Sequence, residues 1–137
     1  MKRKVLFLFC LLMAICASAQ SISRNVLLKS TDLGNQKLYA MVSKEDTTFV
    51  IMLKTTSRIQ PAFPVALGNK VNAIRLLNFL LDAELHGDDI LDLENETHNL
   101  VKKNALGGFL VFSEGQAYSQ QLRKPNIKGF IKEIEKY

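Results

Sequence analysis

The chain has 137 residues, is 47% hydrophobic and 23% charged, and carries a formal net charge of +5 with two cysteines and no tryptophan. Lys2, Arg3, Lys4 and both cysteines, Cys10 and Cys16, lie at the very start, so the remainder is thiol-free, nearly balanced in charge and of a size for one domain. That excludes nucleic-acid binding by bulk charge, and it excludes cysteine catalysis, thiolate metal centres and disulfides from the remainder.

The beginning reads as a bacterial export signal. Three basic residues precede an unbroken apolar run at 5–16, and Ala17-Ser18-Ala19 then supplies small residues at −3 and −1 of a cleavage site before Gln20. The run is short of the about 20 residues that a membrane-spanning helix needs. Lipid attachment to a cysteine wants a small residue just before it, whereas Phe9 precedes Cys10 and Ile15 precedes Cys16. Cleavage after Ala19 leaves a single domain at 20–137, with 15 of the 18 basic residues against all 13 acids and a net charge of +2. With no thiol left, that domain is expected to depend on buried apolar surface alone.

The first part then reads as strands. Val26, Leu27 and Leu28 mark one at 22–29, and Asp32-Leu33-Gly34-Asn35 has turn chemistry. Residues 37–43 alternate Leu38, Ala40 and Val42 with Tyr39 and Met41; after a polar turn at 43–46, residues 47–54 contain the run Phe49-Val50-Ile51-Met52-Leu53. A run of that kind predicts a strand at the centre of a sheet with both faces buried, within an antiparallel meander. A short fourth strand is expected at 58–63, which Pro61 and Pro64 confine to an edge or a loop.

The spacing predicts a long helix over 69–86, capped by Asn69 and ended by Gly87. Ala73, Ile74, Leu76, Leu77, Leu80, Leu81, Ala83 and Leu85 share an arc of about 200°, wider than one sheet contact requires, with Phe79 on its margin. Either the C-terminal helix or a second copy of the chain would cover the excess, so Leu76, Phe79 and Leu80 are the candidate interface residues. Further strands are predicted at 90–95, 99–103 and 109–112, the last forming a hairpin with 116–122, and a final helix presents Ile127, Phe130, Ile131, Ile134 and Tyr137 at helical spacing. The expected fold is α+β: a mostly antiparallel sheet of about six to eight strands, with one long and one C-terminal helix packed on one face.

The pattern marks no catalytic set. No Gly-x-Ser-x-Gly elbow or phosphate-binding glycine pattern is present, and the histidines are His86 and His98. Seven of the 13 acids fall within 82–98, a segment that also holds both histidines. There His86, Asp88, Asp89 and Asp92 are the candidate ligands of a divalent cation or the working groups of a carboxylate-dependent hydrolase; the same residues also read as a solvated acidic edge. Asn95-Glu96-Thr97 matches the N-glycosylation acceptor pattern, which in a bacterial protein reads as chance. Asp46-Thr47-Thr48 resembles the Asp-Thr-aliphatic/Thr motif that some Gram-negative bacteria O-glycosylate after export, which makes Thr47 a candidate modification site. The chain is thus expected to be a small exported protein, periplasmic or extracellular. It is expected to act as a non-enzymatic binding module, without a cofactor, nucleic acid or membrane association after signal cleavage. A homodimer or another exported protein is the expected partner. The hydrolase, and an inhibitor or protective partner of another exported protein, stand as alternatives.

Overall fold

The computed structural model describes residues 24–115, 119 and 121–137; the predicted leader at 1–19 lies outside them. The chain runs β1 (Arg24–Thr31), a 3-10 turn (Asp32–Gly34), β2 (Gln36–Val42), β3 (Thr47–Lys54), β4 (Ala62–Gly68), α1 (Lys70–Asp82), β5 (Ile90–Asp92), β6 (Leu100–Lys103), β7 (Phe109–Phe112) and α2 (Lys124–Lys136). This is the expected α+β architecture. Its seven strands divide between two antiparallel sheets, ordered β1-β2-β3-β4 and β5-β6-β7.

The meander follows from alternation. Leu38 and Ala40 pair with Ile51 and Phe49, and Val65 and Phe63 pair with Ile51 and Leu53, so one face gathers the large apolar residues. All of these are buried, and both helices pack on the four-stranded sheet: α1 on β3 and β4, α2 on β1, and the two on each other. The second cover that the wide apolar arc of α1 required is therefore α2. One buried cluster takes in residues of both sheets and both helices, from Leu38 and Phe63 to Val101, Val111 and Phe130.

Four details differ from the sequence expectations. The fourth strand lies at Ala62–Gly68 rather than 58–63; it is an edge strand, as its exposed Pro64 demands. The first long helix stops at Asp82, because Ala83 is extended (ψ 123°). Ala83 and Leu85 then face inward by alternation with exposed Glu84 and His86, so a period of two satisfies the same apolar residues that the helical reading used. Gly87 is left-handed, as expected, but serves a turn in which the Asp89 N–H donates to the His86 carbonyl at 3.0 Å. Finally, β3 is central but not buried on both faces: Phe49, Ile51 and Leu53 are covered, whereas Val50 and Met52 are only half-buried. Much of the predicted strand at 116–122 lies outside the described residues; Leu122 pairs with Phe109, and the Ser119 N–H donates to the Val111 carbonyl.

Two glycines are required where they stand. Gly68 joins β4 to α1 at φ +81°, which lets the chain turn at once into a helix whose Asn69 side chain accepts from the Asn72 N–H at 3.0 Å. Gly108 has φ +74°, and a Cβ there would lie 2.6 Å from the Leu122 carbonyl oxygen, so only glycine lets β7 start against the 121–123 segment.

Among the described residues the two sheets share no continuous ladder; a single backbone bridge between Thr55, just after β3, and Ser119, which bonds β7, is joined by side-chain contacts at the edge of β4. The Ala66 N–H donates to Thr97 Oγ1 at 2.9 Å, and its carbonyl accepts from Asn95 Nδ2 at 3.0 Å. The outer edge of β4 is thereby occupied at Ala66. Asn99, fully buried, ties this loop to the second sheet by donating from Nδ2 to the Phe112 carbonyl at 3.1 Å.

Candidate functional site

The acidic segment runs from the end of α1 through turns and β5, and two of its carboxylates accept from nearby backbone N–H groups. The His86 N–H donates to Asp89 Oδ2 at 3.0 Å, and the Glu94 N–H to Asp92 Oδ1 at 2.8 Å. His86, Asp88, Asp89, Asp92 and His98 are all exposed. Among the described residues no group of three or more histidine, cysteine, aspartate or glutamate side chains is placed to hold a metal ion. Asn95 is likewise engaged in the fold. Its Nδ2 lies within hydrogen-bond distance of the Ala66 carbonyl, Thr97 Oγ1 and Asn99 Oδ1, so it is committed to the edge of β4 rather than offered to a glycan.

The structure places the three candidate interface residues of α1 at different depths. Leu80 is 2% exposed and belongs to the core, and Leu76 is half-buried against it; of the three, only Phe79 stands well out, at 50%. The reason is the docking of α2, which consumes the side of the helix that a partner would otherwise have covered. Thr47 opens β3 directly after the turn at 43–46, whose Asp46 Oδ1 accepts from the Thr47 N–H at 2.7 Å. It borders an open depression of about 570 Å³ lined also by Lys44, Phe49, Asn69, Lys70 and Tyr137.

Two surface features emerge that sequence reasoning missed. The first is the outer face of the four-stranded sheet. Leu27, Tyr39, Val50 and Ala66 stand opposite one another in register, one from each strand, and Met41, Met52 and Pro64 flank this row. Leu27 is 50% and Met41 37% exposed. An antiparallel sheet with one solvated face ordinarily alternates apolar inside with polar outside; here both faces are apolar, with Lys37, Thr48 and Lys54 at the margins of the outer one. The readable signal was the uninterrupted run in β3, whose outward members Val50 and Met52 looked buried for lack of polar partners.

The second feature lies at one end of that sheet. Because Gln36 pairs with Leu53, the β1–β2 turn and the β3–β4 loop are at the same end. The β6–β7 loop joins them through hydrogen bonds: Gln36 Nε2 donates to the Gln121 carbonyl at 2.8 Å, and Gln121 Nε2 donates to the Gly107 carbonyl. Each loop carries one aliphatic side chain in full contact with solvent: Leu33 (105% exposed), Ile59 (98%) and Leu106 (88%). The sequence signal was an aliphatic residue set inside each polar turn. Among the described residues no helix is long and apolar enough to cross a membrane. No family model, characterised protein or solved structure matches the chain.

Proposed function

We propose that the chain is an exported, non-enzymatic interaction module that associates with a second copy of itself through the outer face of β1–β4. The observation that supports this reading is the row Leu27–Tyr39–Val50–Ala66, which keeps apolar side chains half in water on a face where polar residues would cost nothing. A row that crosses all four strands without a charge can meet its own copy related by a two-fold axis. Four strands about 4.8 Å apart and seven residues long present roughly 450 Å² of sheet plane, so two copies cover about 900 Å². That is near the lower limit for specific association and fits a reversible dimer.

Sedimentation equilibrium across a concentration series is expected to show a monomer–dimer equilibrium. Leu27→Lys with Val50→Lys is expected to weaken it at least about tenfold, with the far-ultraviolet circular dichroism unchanged. A wild-type chain that stays monomeric throughout the series would overturn the reading.

Export carries its own expectation. Intact-mass measurement of the chain recovered from the exported fraction of its own host is expected to place the start at Gln20. If Thr47 is glycosylated, the mass exceeds that of residues 20–137 and Thr47→Ala returns it to that value. A mass equal to the bare 20–137 chain would remove the modification while leaving the cleavage site in place.

A further inference from the structure

We infer that the loop end bearing Leu33, Ile59 and Leu106 docks on an anionic lipid bilayer, with the three aliphatic side chains entering the headgroup region. This goes beyond the sheet-face reading and does not depend on it. The three side chains stand apart. Leu33, Ile59 and Leu106 are 105%, 98% and 88% exposed, and side chains that touched one another would shield one another; these are three isolated prongs. A protein partner would need a separate shaped pocket for each, because protein interfaces gain most of their energy from contiguous, packed anchors. A bilayer accepts isolated aliphatic groups wherever they enter.

Each prong is also held out by its own loop. Ser57 Oγ accepts from the N–H groups of Ile59 and Gln60, both at 3.2 Å, and the Thr55 hydroxyl bonds the Gln60 carbonyl. The Leu106 N–H donates to Asn104 Oδ1 at 3.3 Å, and the Gly107 N–H to the Asn104 carbonyl at 3.0 Å. Leu33 sits at φ 57°, ψ 30°, a left-handed conformation unusual for leucine. Folding gains nothing from placing an aliphatic group in water at a strained position, whereas insertion into lipid would.

Charge complementarity identifies the surface as anionic. Lys37 follows the start of β2, Lys54 ends β3, Arg58 adjoins Ile59, Lys103 ends β6, and Arg123 and Lys124 follow Leu122, which pairs with Phe109 beside the third loop. Against these six cations stand Asp32, whose Oδ2 already accepts from Asn126 Nδ2 at 3.0 Å, Glu84, which shares a small cleft with Lys103 and Lys124, Asp88 and Asp89, which precede the Ile90 that pairs with Lys102, and Glu114, next to Ser113, which reaches Gln60. Six cations against five carboxylates leave a small positive excess, the sign that attraction to acidic headgroups requires.

The test is co-sedimentation of the full chain, as processed by the expressing cell, with vesicles of phosphatidylcholine with and without phosphatidylglycerol. Wild type is expected to bind the phosphatidylglycerol vesicles, weakly bind phosphatidylcholine alone, and release in high salt. Leu33→Asn, Ile59→Ser and Leu106→Ser together are expected to lower the partition coefficient about a hundredfold or more, roughly five- to tenfold per side chain. Because these side chains lie in solvent rather than in the core, the thermal midpoint should hold. Lys54→Gln, Arg58→Gln and Lys103→Gln are expected to cost about fivefold each on anionic vesicles only. Leu27→Lys with Val50→Lys should not reduce lipid binding even where it abolishes the dimer, which separates the two readings. The inference is overturned if wild type ignores anionic vesicles, if the triple tip variant binds as wild type does, or if the tip variant instead abolishes self-association, which would make a second copy the occupant.

Discussion

Phe130→Ala is expected to lower the unfolding free energy by about 4 kcal/mol, toward the upper half of the range for deleting a buried ring. Phe130 is fully buried in α2, between Ile127 and Ile134, which are also fully buried. What sets the cost is how far the surroundings can collapse into the space the ring leaves. Near its start, α2 is held by Asn126 Nδ2, which lies 3.0 Å from both Gln36 Oε1 and Asp32 Oδ2. Near its end, Lys70 Nζ donates to the Glu135 carbonyl at 2.9 Å, and the Tyr137 ring meets Phe49 edge-on at 5.9 Å. A helix fixed at both ends cannot slide inward, so most of the cavity persists. With about 4 °C of midpoint lost per kcal/mol in a domain of this size, thermal unfolding should fall by roughly 15 °C. Ile127→Val, which removes one methylene nearby, should cost only about 1 kcal/mol. Equal melting curves for Phe130→Ala and wild type would mean that α2 is not docked on the sheet and on α1 as described.

The elements with a long uninterrupted apolar signal are legible in the sequence. β3 was read to the residue at Thr47–Lys54, and α2 was marked by Ile127, Phe130, Ile131 and Ile134 because nothing competes with their helical period. Errors arose where one apolar set satisfies two periods. Leu81, Ala83 and Leu85 fit both a helix at 3.6 residues per turn and an extended stretch at two, and the backbone after Asp82 takes the second. The fourth strand lies further along than 58–63 because Pro64, which confines the stretch to an edge or a loop, sits inside an edge strand that tolerates it where its missing N–H faces outward. The division into two sheets was not readable, since it depends on Asn95 and Thr97 meeting Ala66, residues 29 and 31 positions away in sequence.

The candidate sites separate along the same line. A cluster in sequence, such as the acids of 82–98, is spread over the end of α1, two turns and β5, and Asp89 and Asp92 each accept from a neighbouring backbone N–H. Proximity along the chain says little about convergence, because successive turn residues point apart. The features that stand out in three dimensions are assembled from residues far apart in sequence: Leu27, Tyr39, Val50 and Ala66 by strand register, and Leu33, Ile59 and Leu106 by the common end of the sheets. Each residue is unremarked in its own segment; only topology makes it a member of a surface.

Asn99→Ala is expected to cost about 3 kcal/mol, more than any exposed polar substitution in the chain. Asn99 is 0% exposed, and its side chain works in both directions. Oδ1 accepts from Asn95 Nδ2 at 2.9 Å and from the Thr97 hydroxyl, while Nδ2 donates to the Phe112 carbonyl at 3.1 Å. Alanine removes all three at once and leaves buried polar groups short of partners, each costing about 1–3 kcal/mol when water cannot replace what is lost. The loss also spreads, because Asn95 and Thr97 are the groups that hold the Ala66 backbone at the edge of β4. Amide exchange at Ala66 should therefore quicken in the Asn99→Ala chain, even though residue 99 does not touch that amide. By contrast, Asn104→Ala, in the exposed β6–β7 turn, should cost about 1 kcal/mol or less. A double-mutant cycle with Asn95→Ala supplies the decisive number: a coupling energy of about 1–3 kcal/mol is expected if the two asparagines share one network. Additive effects would mean that Asn99 does not act on the edge of β4 through Asn95.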